Sequence, residues 1–214
     1  MHREQSAAWR AGTSGFVLVG GKSSRMGGDK GLLPFGSTPL VSWIADRVRT
    51  ACGNVTLVGS ESKYSGLGYP VIEDTYHERG ALAGIHAALL HSSAQYNLIV
   101  GCDMPYLSAE FLRWLVDSAR RYDADVTVPE SESFGYEPLC AVYAARSRSA
   151  VEDGLIRNER AIRDMLGRLR VQVIPVAEWK PFDPDGKLFR NLNTPEEYES
   201  ACTDLLAGTG SFRK

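Results

Sequence analysis

Short apolar runs alternate with amphipathic segments from residue 16 onward. The runs are about four or five residues long, as in buried strands, and the amphipathic segments space their apolar residues as helices do. The predicted strands lie at 16–20, 54–58, 69–72, 96–100 and 125–129, and the predicted helices start at Pro39, span 81–91 and run from Ser108 to about residue 122. This alternation predicts an α/β fold: a three-layer, doubly wound and mostly parallel sheet with helices on both faces.

The pattern is less regular in the second half of the chain. Apolar runs at 138–143 and 171–176 predict two further strands, and the spacing over 158–167 predicts a helix. Thr194 followed by Pro195 predicts the start of a last helix, because Thr caps helix N-termini and Pro suits the first helical position.

Length, charge and cysteine spacing limit the class of protein. At 214 residues the chain suits one domain, which we place at 15–207, between a flexible N-terminal tail, 1–14, and a C-terminal tail, 208–214. A formal net charge of −2 gives no general attraction to nucleic acid or to an anionic membrane, so neither is an expected partner. The four cysteines have no metal-binding or redox spacing, and the N-terminus has no apolar stretch typical of a signal peptide. Both features favour a cytoplasmic location.

A glycine-rich, cationic loop directly follows the first predicted strand. It runs over residues 20–31 and carries Lys22, Arg25 and Lys30. Ligands of open α/β sheets bind at the carboxyl ends of strands, and glycines let backbone N–H groups approach an anion. The loop is therefore predicted to hold the phosphates of an NTP, although it has neither P-loop spacing nor a dinucleotide-binding Gly-x-Gly-x-x-Gly. The alternative, a solvated surface turn, leaves its many glycines and cations unexplained.

Three polar residues are candidates for a metal site at the same edge. Asp103 follows the most strand-like segment, and Mg2+ is commonly held by one or two carboxylates together with substrate phosphates. Asn191 and Asn193 share a face of an extended segment, so they could serve a metal or a phosphate. Each of the three could instead be a turn or capping residue.

Four motifs follow the pattern of one known family. Leu18–Lys30 matches Leu-x-Gly-Gly-x-Ser-x-Arg-Met-Gly-x-Asp-Lys, and the shorter motifs Leu-Ala-Gly, Asp-x-Pro and Asn-x-Asn-Thr-Pro-Glu are matched by Leu82–Gly84, Asp103–Pro105 and Asn191–Glu196. Over about residues 15–205 the chain resembles the molybdenum cofactor guanylyltransferases. The first motif is shared with the wider nucleotidyltransferase superfamily, whereas the last points to this subfamily.

The resemblance implies transfer of GMP from Mg-GTP to the terminal phosphate of molybdopterin, with release of pyrophosphate. Mg2+ is then the expected cofactor, and GTP and molybdopterin are the expected partners, together with transient contacts to cofactor-delivery or acceptor proteins. The resemblance assigns nucleotide binding to Leu18, Val19, Gly20, Gly21, Lys30, Asp74 and Asp103, catalysis to Arg25, Lys30, Asp103, Asn191 and Asn193, and the metal to Asp103.

Three departures from the family pattern leave alternatives open. Val19 stands where Ala is usual, Ala81 replaces a Pro, and Ser60 lies where a nucleoside-pocket Asn is usual. Because the third departure affects base and ribose contacts, a cytidylyltransferase or a sugar-phosphate nucleotidyltransferase is the first alternative. A non-catalytic nucleotide-binding module is the second. Glu137 is expected either to border the acceptor pocket or to lie in a surface turn, and Cys102 to be a buried small hydrophobe rather than a nucleophile.

Overall fold

A computed structural model describes most of the chain, over residues 12–20, 29–76, 79–131, 135–159 and 161–208. The strands are β1 Thr13–Leu18, β2 Pro34–Phe35, β3 Thr38–Pro39, β4 Thr56–Val58, β5 Val71–Ile72, β6 Tyr96–Gly101, β7 Val126–Ser131, β8 Gly135–Tyr136, β9 Cys140–Ala144 and β10 Val171–Ile174. The α-helices are α1 Leu40–Cys52, α2 Glu61–Tyr64, α3 Ala81–His91, α4 Ala109–Tyr122, α5 Arg148–Ile156, α6 Ile162–Leu166, α7 Val176–Trp179 and α8 Pro195–Ala207.

The central sheet has the strand order β10-β7-β9-β6-β1-β4-β5, with β8 paired to β7, and β2 and β3 form a separate hairpin. β1 is parallel to β4 and β6, β4 is parallel to β5, and β7 is parallel to β10. β9 is antiparallel to both of its neighbours, because the short connection from β7 leaves no room for a crossover helix. The prediction of a mostly parallel sheet flanked by helices in a single domain is confirmed.

Two cores of buried side chains lie on opposite faces of the sheet. One packs α1, α4 and α7 against the sheet, and the other packs α3, α5 and α6. In β1, Val17 belongs to the first core and Phe16 and Leu18 belong to the second, as the alternation of side chains along a strand requires. Each fully buried large apolar side chain of this kind contributes about 1.5–3 kcal/mol, so the two cores provide the main stabilisation of all three layers.

The start of the first strand differs from its prediction. β1 begins at Thr13 and ends at Leu18, so the predicted domain start at residue 15 falls within the strand. Thr13 is buried, and its Oγ1 accepts a hydrogen bond of 2.6 Å from Nη2 of Arg120. A polar residue paired in this way adds no apolar signal, which is why the apolar run pointed to a later start.

The region after β9 also differs from its prediction. The helix predicted at 158–167 is shorter, Ile162–Leu166, and α5 precedes it over Arg148–Ile156 without having been predicted. α5 buries Val151, Gly154 and Leu155, a stripe too narrow to stand out in the sequence. The strand predicted at 171–176 ends at Ile174, because a proline follows it and Val176 starts α7.

The caps predicted for two helices are confirmed. Oγ of Ser108 accepts from the backbone N of Phe111 at the start of α4, at 3.1 Å. At the start of α8, Thr194 and Glu197 form a reciprocal capping box, with a proline at the first position. Among the described residues, no helix is both long enough and apolar enough to cross a membrane.

Candidate active site

The candidate site lies where the strand order reverses. From β1 the chain continues to β4 and β5 on one side and then returns to β6 on the other side of β1. Ligands of open α/β sheets bind at such a switch point, at the carboxyl ends of the strands. The backbone N of Cys102 donates to the carbonyl of Leu18 at 3.2 Å, which brings the end of β1 beside the segment that carries Asp103.

Lys30, Asp103 and Asn193 meet at this edge. Nζ of Lys30 lies 3.2 Å from Oδ2 of Asp103 and 3.3 Å from Oδ1 of Asn193. The side chains of Lys30 and Asp103 are 15% and 27% exposed, so their ion pair is only partly screened by water. The structure therefore brings three residues from three sequence motifs to one point, with two oxygen atoms directed at one cationic group.

Local contacts fix the position of Asp103. Its backbone carbonyl accepts from N of Leu192 at 2.9 Å, which ties the Asn191–Asn193 segment to the end of β6. A Cβ added to Gly101 would lie 3.0 Å from Oδ1 of Asp103, so a larger residue there would crowd the carboxylate. A glycine at the end of β6 leaves the Asp103 side chain its space.

The asparagine segment is held from its other side by α8. Oε2 of Glu197 accepts from N of Asn193 at 2.6 Å and from N of Thr194 at 3.0 Å. Leu192 is fully buried, between a half-buried Asn191 and an exposed Asn193. Leu192 belongs to a small core that joins the β2–β3 hairpin to α8, and the members of that core are Phe35, Leu40, Tyr106, Leu192 and Ala201.

The exits of β1, β4 and β5 form the side of the site assigned to the nucleotide. N of Val19 donates to the carbonyl of Val58 at 2.9 Å, and N of Gly59 donates to the carbonyl of Ile72 at 2.8 Å. These bonds keep the three exits side by side beyond the strands themselves. Asp74 follows two residues after β5 and is half-buried.

Two glycines are required by the residues at the end of β1. A Cβ on Gly59 would overlap the carbonyl oxygen of Val19, and a Cβ on Gly84 would lie 3.2 Å from both δ carbons of Leu18. The Leu-Ala-Gly motif is therefore a close packing contact of α3 beneath the end of β1. Gly20 has a φ of 121°, a conformation that favours glycine. Gly21 and Arg25 lie outside the described residues.

Comparisons with known proteins identify the family. Residues 15–173 match the family described as MobA-like NTP transferase domain. The chain belongs to this family. The molybdenum cofactor guanylyltransferase of Desulfosudis oleivorans is 32% identical over 197 residues, which cover 91% of this chain and 96% of that protein. This MobA-like chain is thus a nucleotidyltransferase, as its motifs predicted.

Solved structures agree with this assignment. The crystal structure of molybdopterin-guanine dinucleotide biosynthesis protein A from Archaeoglobus fulgidus matches with a TM-score of 0.80 at 28% identity, covering 91% of this MobA-like chain and 99% of that one. A nucleotidyl transferase from Methanothermobacter, at 18% identity and a TM-score of 0.71, covers 92% of this chain and 99% of its own and has the same fold.

Glu137 lies on the other side of Asp103 from the ends of β4 and β5 in this MobA-like enzyme. Its side chain is buried and accepts from Oγ of Ser131 at 2.7 Å, so the surface-turn alternative is wrong. N of Gly101 donates to the carbonyl of Leu139 at 2.8 Å, which places the Glu137 turn against the end of β6. Burial, with a further contribution from Asp103, raises the pKa of Glu137, against a lowering by the Ser131 hydroxyl.

Cys102, predicted to be a buried small hydrophobe rather than a nucleophile, is half-buried beside Asp103. Burial first, and the neighbouring Asp103 second, raise the pKa of the half-buried Cys102 to about 12, so its thiol is a poor nucleophile.

A hydrogen bond between Asp29 and Tyr64 was not predicted from the sequence. Oδ1 of Asp29 accepts from the hydroxyl of Tyr64 at 2.6 Å. Tyr64 lies outside every motif of the MobA-like pattern, and its aromatic side chain after β4 gave no signal beyond an ordinary core residue.

The donor set fits a hard cation held jointly with phosphates. The described residues contain no cluster of three or more His, Cys, Asp or Glu that could hold a metal by itself. Asp103 and Asn193 direct a carboxylate oxygen and an amide oxygen at the same ammonium group. Oxygen ligands of this kind, few in number, suit Mg2+ bound together with nucleotide phosphates.

Proposed function

We propose that this MobA-like protein transfers GMP from GTP to the terminal phosphate of molybdopterin and releases pyrophosphate. One observation carries the proposal: Lys30, Asp103 and Asn193 meet within hydrogen-bonding distance at the switch point. The guanylyltransferase relative, similar over nearly its whole length, supports guanine as the base and molybdopterin as the acceptor.

The chemistry is an electrostatic problem rather than a proton-transfer problem. The acceptor phosphate is already ionised at neutral pH, so it needs no strong general base. The difficulty is the approach of two anions, which positioning and fixed positive charge can overcome. In this proposal Lys30 leaves its ion pair with Asp103 in part and binds the phosphates, with Arg25 as a second cation.

Mg2+ is the cofactor of this proposal, and Asp103 is its protein ligand. When bound, Mg2+ neutralises phosphate charge and polarises the reacting phosphorus–oxygen bonds. Asn193 lies close enough to share the same position, and its backbone is held by Glu197. Asn191 is the second asparagine of the proposed catalytic set. It precedes the buried Leu192 in the sequence, as Asn193 follows it, and it is half-buried.

The two substrates approach from opposite sides of Asp103. The nucleotide lies toward β4 and β5, where Leu18, Val19, Gly20 and Asp74 contact the base and Gly21 the phosphates. The acceptor lies toward β9, where Glu137 borders its pocket.

The cytoplasm is the proposed place of action. All four cysteines, each within the described residues, are free thiols, which suits a reducing compartment.

A thermal-shift series with the four NTPs and Mg2+ tests the nucleotide half of the proposal. A ligand at one hundred times its dissociation constant stabilises the folded state by about 2.7 kcal/mol, so the preferred base should give the largest shift. We expect GTP to lead. A larger shift with CTP or UTP would assign the protein to one of the other nucleotidyltransferase classes, and binding of GTP without pyrophosphate release would favour a non-catalytic module.

A further inference from the structure

The backbone around Lys30 is fixed by a single short turn. Lys30–Leu32 form a 3-10 helix whose N-cap is Asp29, and Oδ1 of Asp29 accepts from N of Gly31 at 3.2 Å. The long Lys30 side chain reaches both Asp103 and Asn193 from this turn. The lysine stem is flexible, so the turn fixes only the point from which the ammonium extends, and a shift of the turn changes which oxygens the ammonium can reach.

Asp29 is itself held by two residues of α2. The hydroxyl of Tyr64 donates to its Oδ1 at 2.6 Å, and Nζ of Lys63 lies 3.2 Å from its Oδ2. Both oxygens of the Asp29 carboxylate therefore have partners in α2, whereas the partners of Lys30 are Asp103 and Asn193.

The Tyr64 side chain is buried and packs closely against the turn that carries Lys30. It is 1% exposed, and a Cβ added to Gly31 would lie 3.2 Å from its hydroxyl oxygen, so the turn and the phenol fit closely. Burial first, and the bond to Asp29 second, raise the pKa of Tyr64 well above its usual value, so the phenol keeps its proton and acts as a donor. A short hydrogen bond to an ionised carboxylate is among the stronger ones in proteins.

We propose that Tyr64 and Asp29 are positioning residues that hold Lys30 in line with Asp103 and Asn193. Because α2 follows β4, the same contact connects the nucleotide-base side of the site to the lysine that binds the phosphates. This inference rests on the proposed function, since it concerns the placement of the phosphate-binding lysine. Neither residue touches the reacting atoms, and both act through Lys30.

Tyr64→Phe tests the inference, with Tyr69→Phe as its matched control. Tyr69 also donates to a carboxylate, Oδ1 of Asp46 at 2.8 Å. It precedes β5, so it lies at the amino-terminal end of that strand, whereas the site lies at the carboxyl ends. For Tyr64→Phe we expect kcat to fall about tenfold while KM for GTP changes much less, because the charge of Lys30 remains and its orientation is lost. Tyr69→Phe should keep the wild-type kcat.

A readout that does not depend on activity accompanies the kinetics. The amide of Gly31, which Asp29 caps, should exchange its hydrogen about tenfold faster in Tyr64→Phe and at the wild-type rate in Tyr69→Phe. Asp29→Asn keeps an acceptor oxygen for Tyr64 and should retain most of the wild-type kcat, whereas Asp29→Ala should behave like Tyr64→Phe. Comparison of Asp29→Asn with Asp29→Ala distinguishes loss of this hydrogen bond from a general loss of folding.

The outcomes separate this inference from the proposed function. If the wild-type protein transfers no GMP, the proposed function fails, and the exchange rate of the Gly31 amide still decides the positioning role. If the wild type is active and Tyr64→Phe matches Tyr69→Phe in both kcat and exchange, the positioning role is wrong. A loss of stability in Tyr64→Phe with unchanged kcat would also overturn it, because that result describes a merely structural residue.

Discussion

Replacement of Lys30 by methionine removes the central cation of the site while keeping most of the side-chain volume. The Lys30 ammonium lies 3.2 Å from Oδ2 of Asp103 and 3.3 Å from Oδ1 of Asn193. A phosphate oxygen bound at this position would lie at a similar distance from the ammonium. At about 4 Å and an effective dielectric of about 20, the attraction between the ammonium and one phosphate charge is about 4 kcal/mol.

Part of that attraction offsets the desolvation of the ammonium. A net loss of about 2.7 kcal/mol of transition-state stabilisation corresponds to about a hundredfold decrease in kcat/KM. We expect KM for GTP to rise and kcat to fall together, because the phosphates carry charge both in the bound state and in the transition state. Stability should change by less than about 1 kcal/mol, as for other partly exposed ion pairs.

Steady-state kinetics of pyrophosphate release measure this effect, with Arg49→Met as the control. Arg49 forms an ion pair with Asp46 at 2.7 Å, in the last turn of α1, at the end of the sheet opposite the site. Its replacement removes one exposed cation from the same protein and should leave kcat/KM unchanged. A kcat/KM of Lys30→Met within about threefold of the wild type, or an equal decrease in Arg49→Met, would refute the electrostatic role assigned to Lys30.

Three further predictions follow from other contacts of the site. Asp103→Asn should abolish turnover with little loss of stability, because the residue lies half-buried at a strand end, and near-normal activity would remove Asp103 from the metal role. Gly59→Ala should lower the melting temperature and weaken GTP binding together, because the added Cβ overlaps the Val19 carbonyl, and calorimetry that finds both unchanged would contradict this. The raised pKa of Glu137 means that its contribution to stability is full below the ordinary value of 4.5 and is lost as the pH rises through the folded-state value. Glu137→Gln should therefore gain stability relative to the wild type as the pH rises from 4 to 8, and a pH-independent difference between their melting temperatures would contradict this.

The alternation of strands and helices, and the edge at which the site lies, could be predicted from sequence. Apolar runs mark buried strands, and parallel strands bring their carboxyl ends to the same edge. For that reason the sequence alone predicts that the loop after β1 and Asp103 after β6 lie at the same edge. The contact of Lys30 with Asn193 was reachable only through the motif pattern, because it joins residues 163 positions apart.

The contacts that could not be predicted depend on tertiary packing rather than on local pattern. Tyr64 and Asp29 are 35 positions apart, and neither has a periodicity that points to the other. Glu137 lies in a segment that is typical of a surface turn, and only the pairing of β9 between β6 and β7 buries it. α5 was missed for a related reason, since its narrow buried stripe becomes evident only against α3 and the sheet.

We propose that GMP moves from GTP to molybdopterin at the edge where Lys30, Asp103 and Asn193 meet. A transfer assay with GTP labelled at its α-phosphate, molybdopterin and Mg2+, with labelled CTP in parallel, tests this directly. We expect a labelled guanine dinucleotide product and an equal amount of pyrophosphate from GTP, and little product from CTP. Preferential transfer from CTP, or no labelled product from either nucleotide, would contradict it.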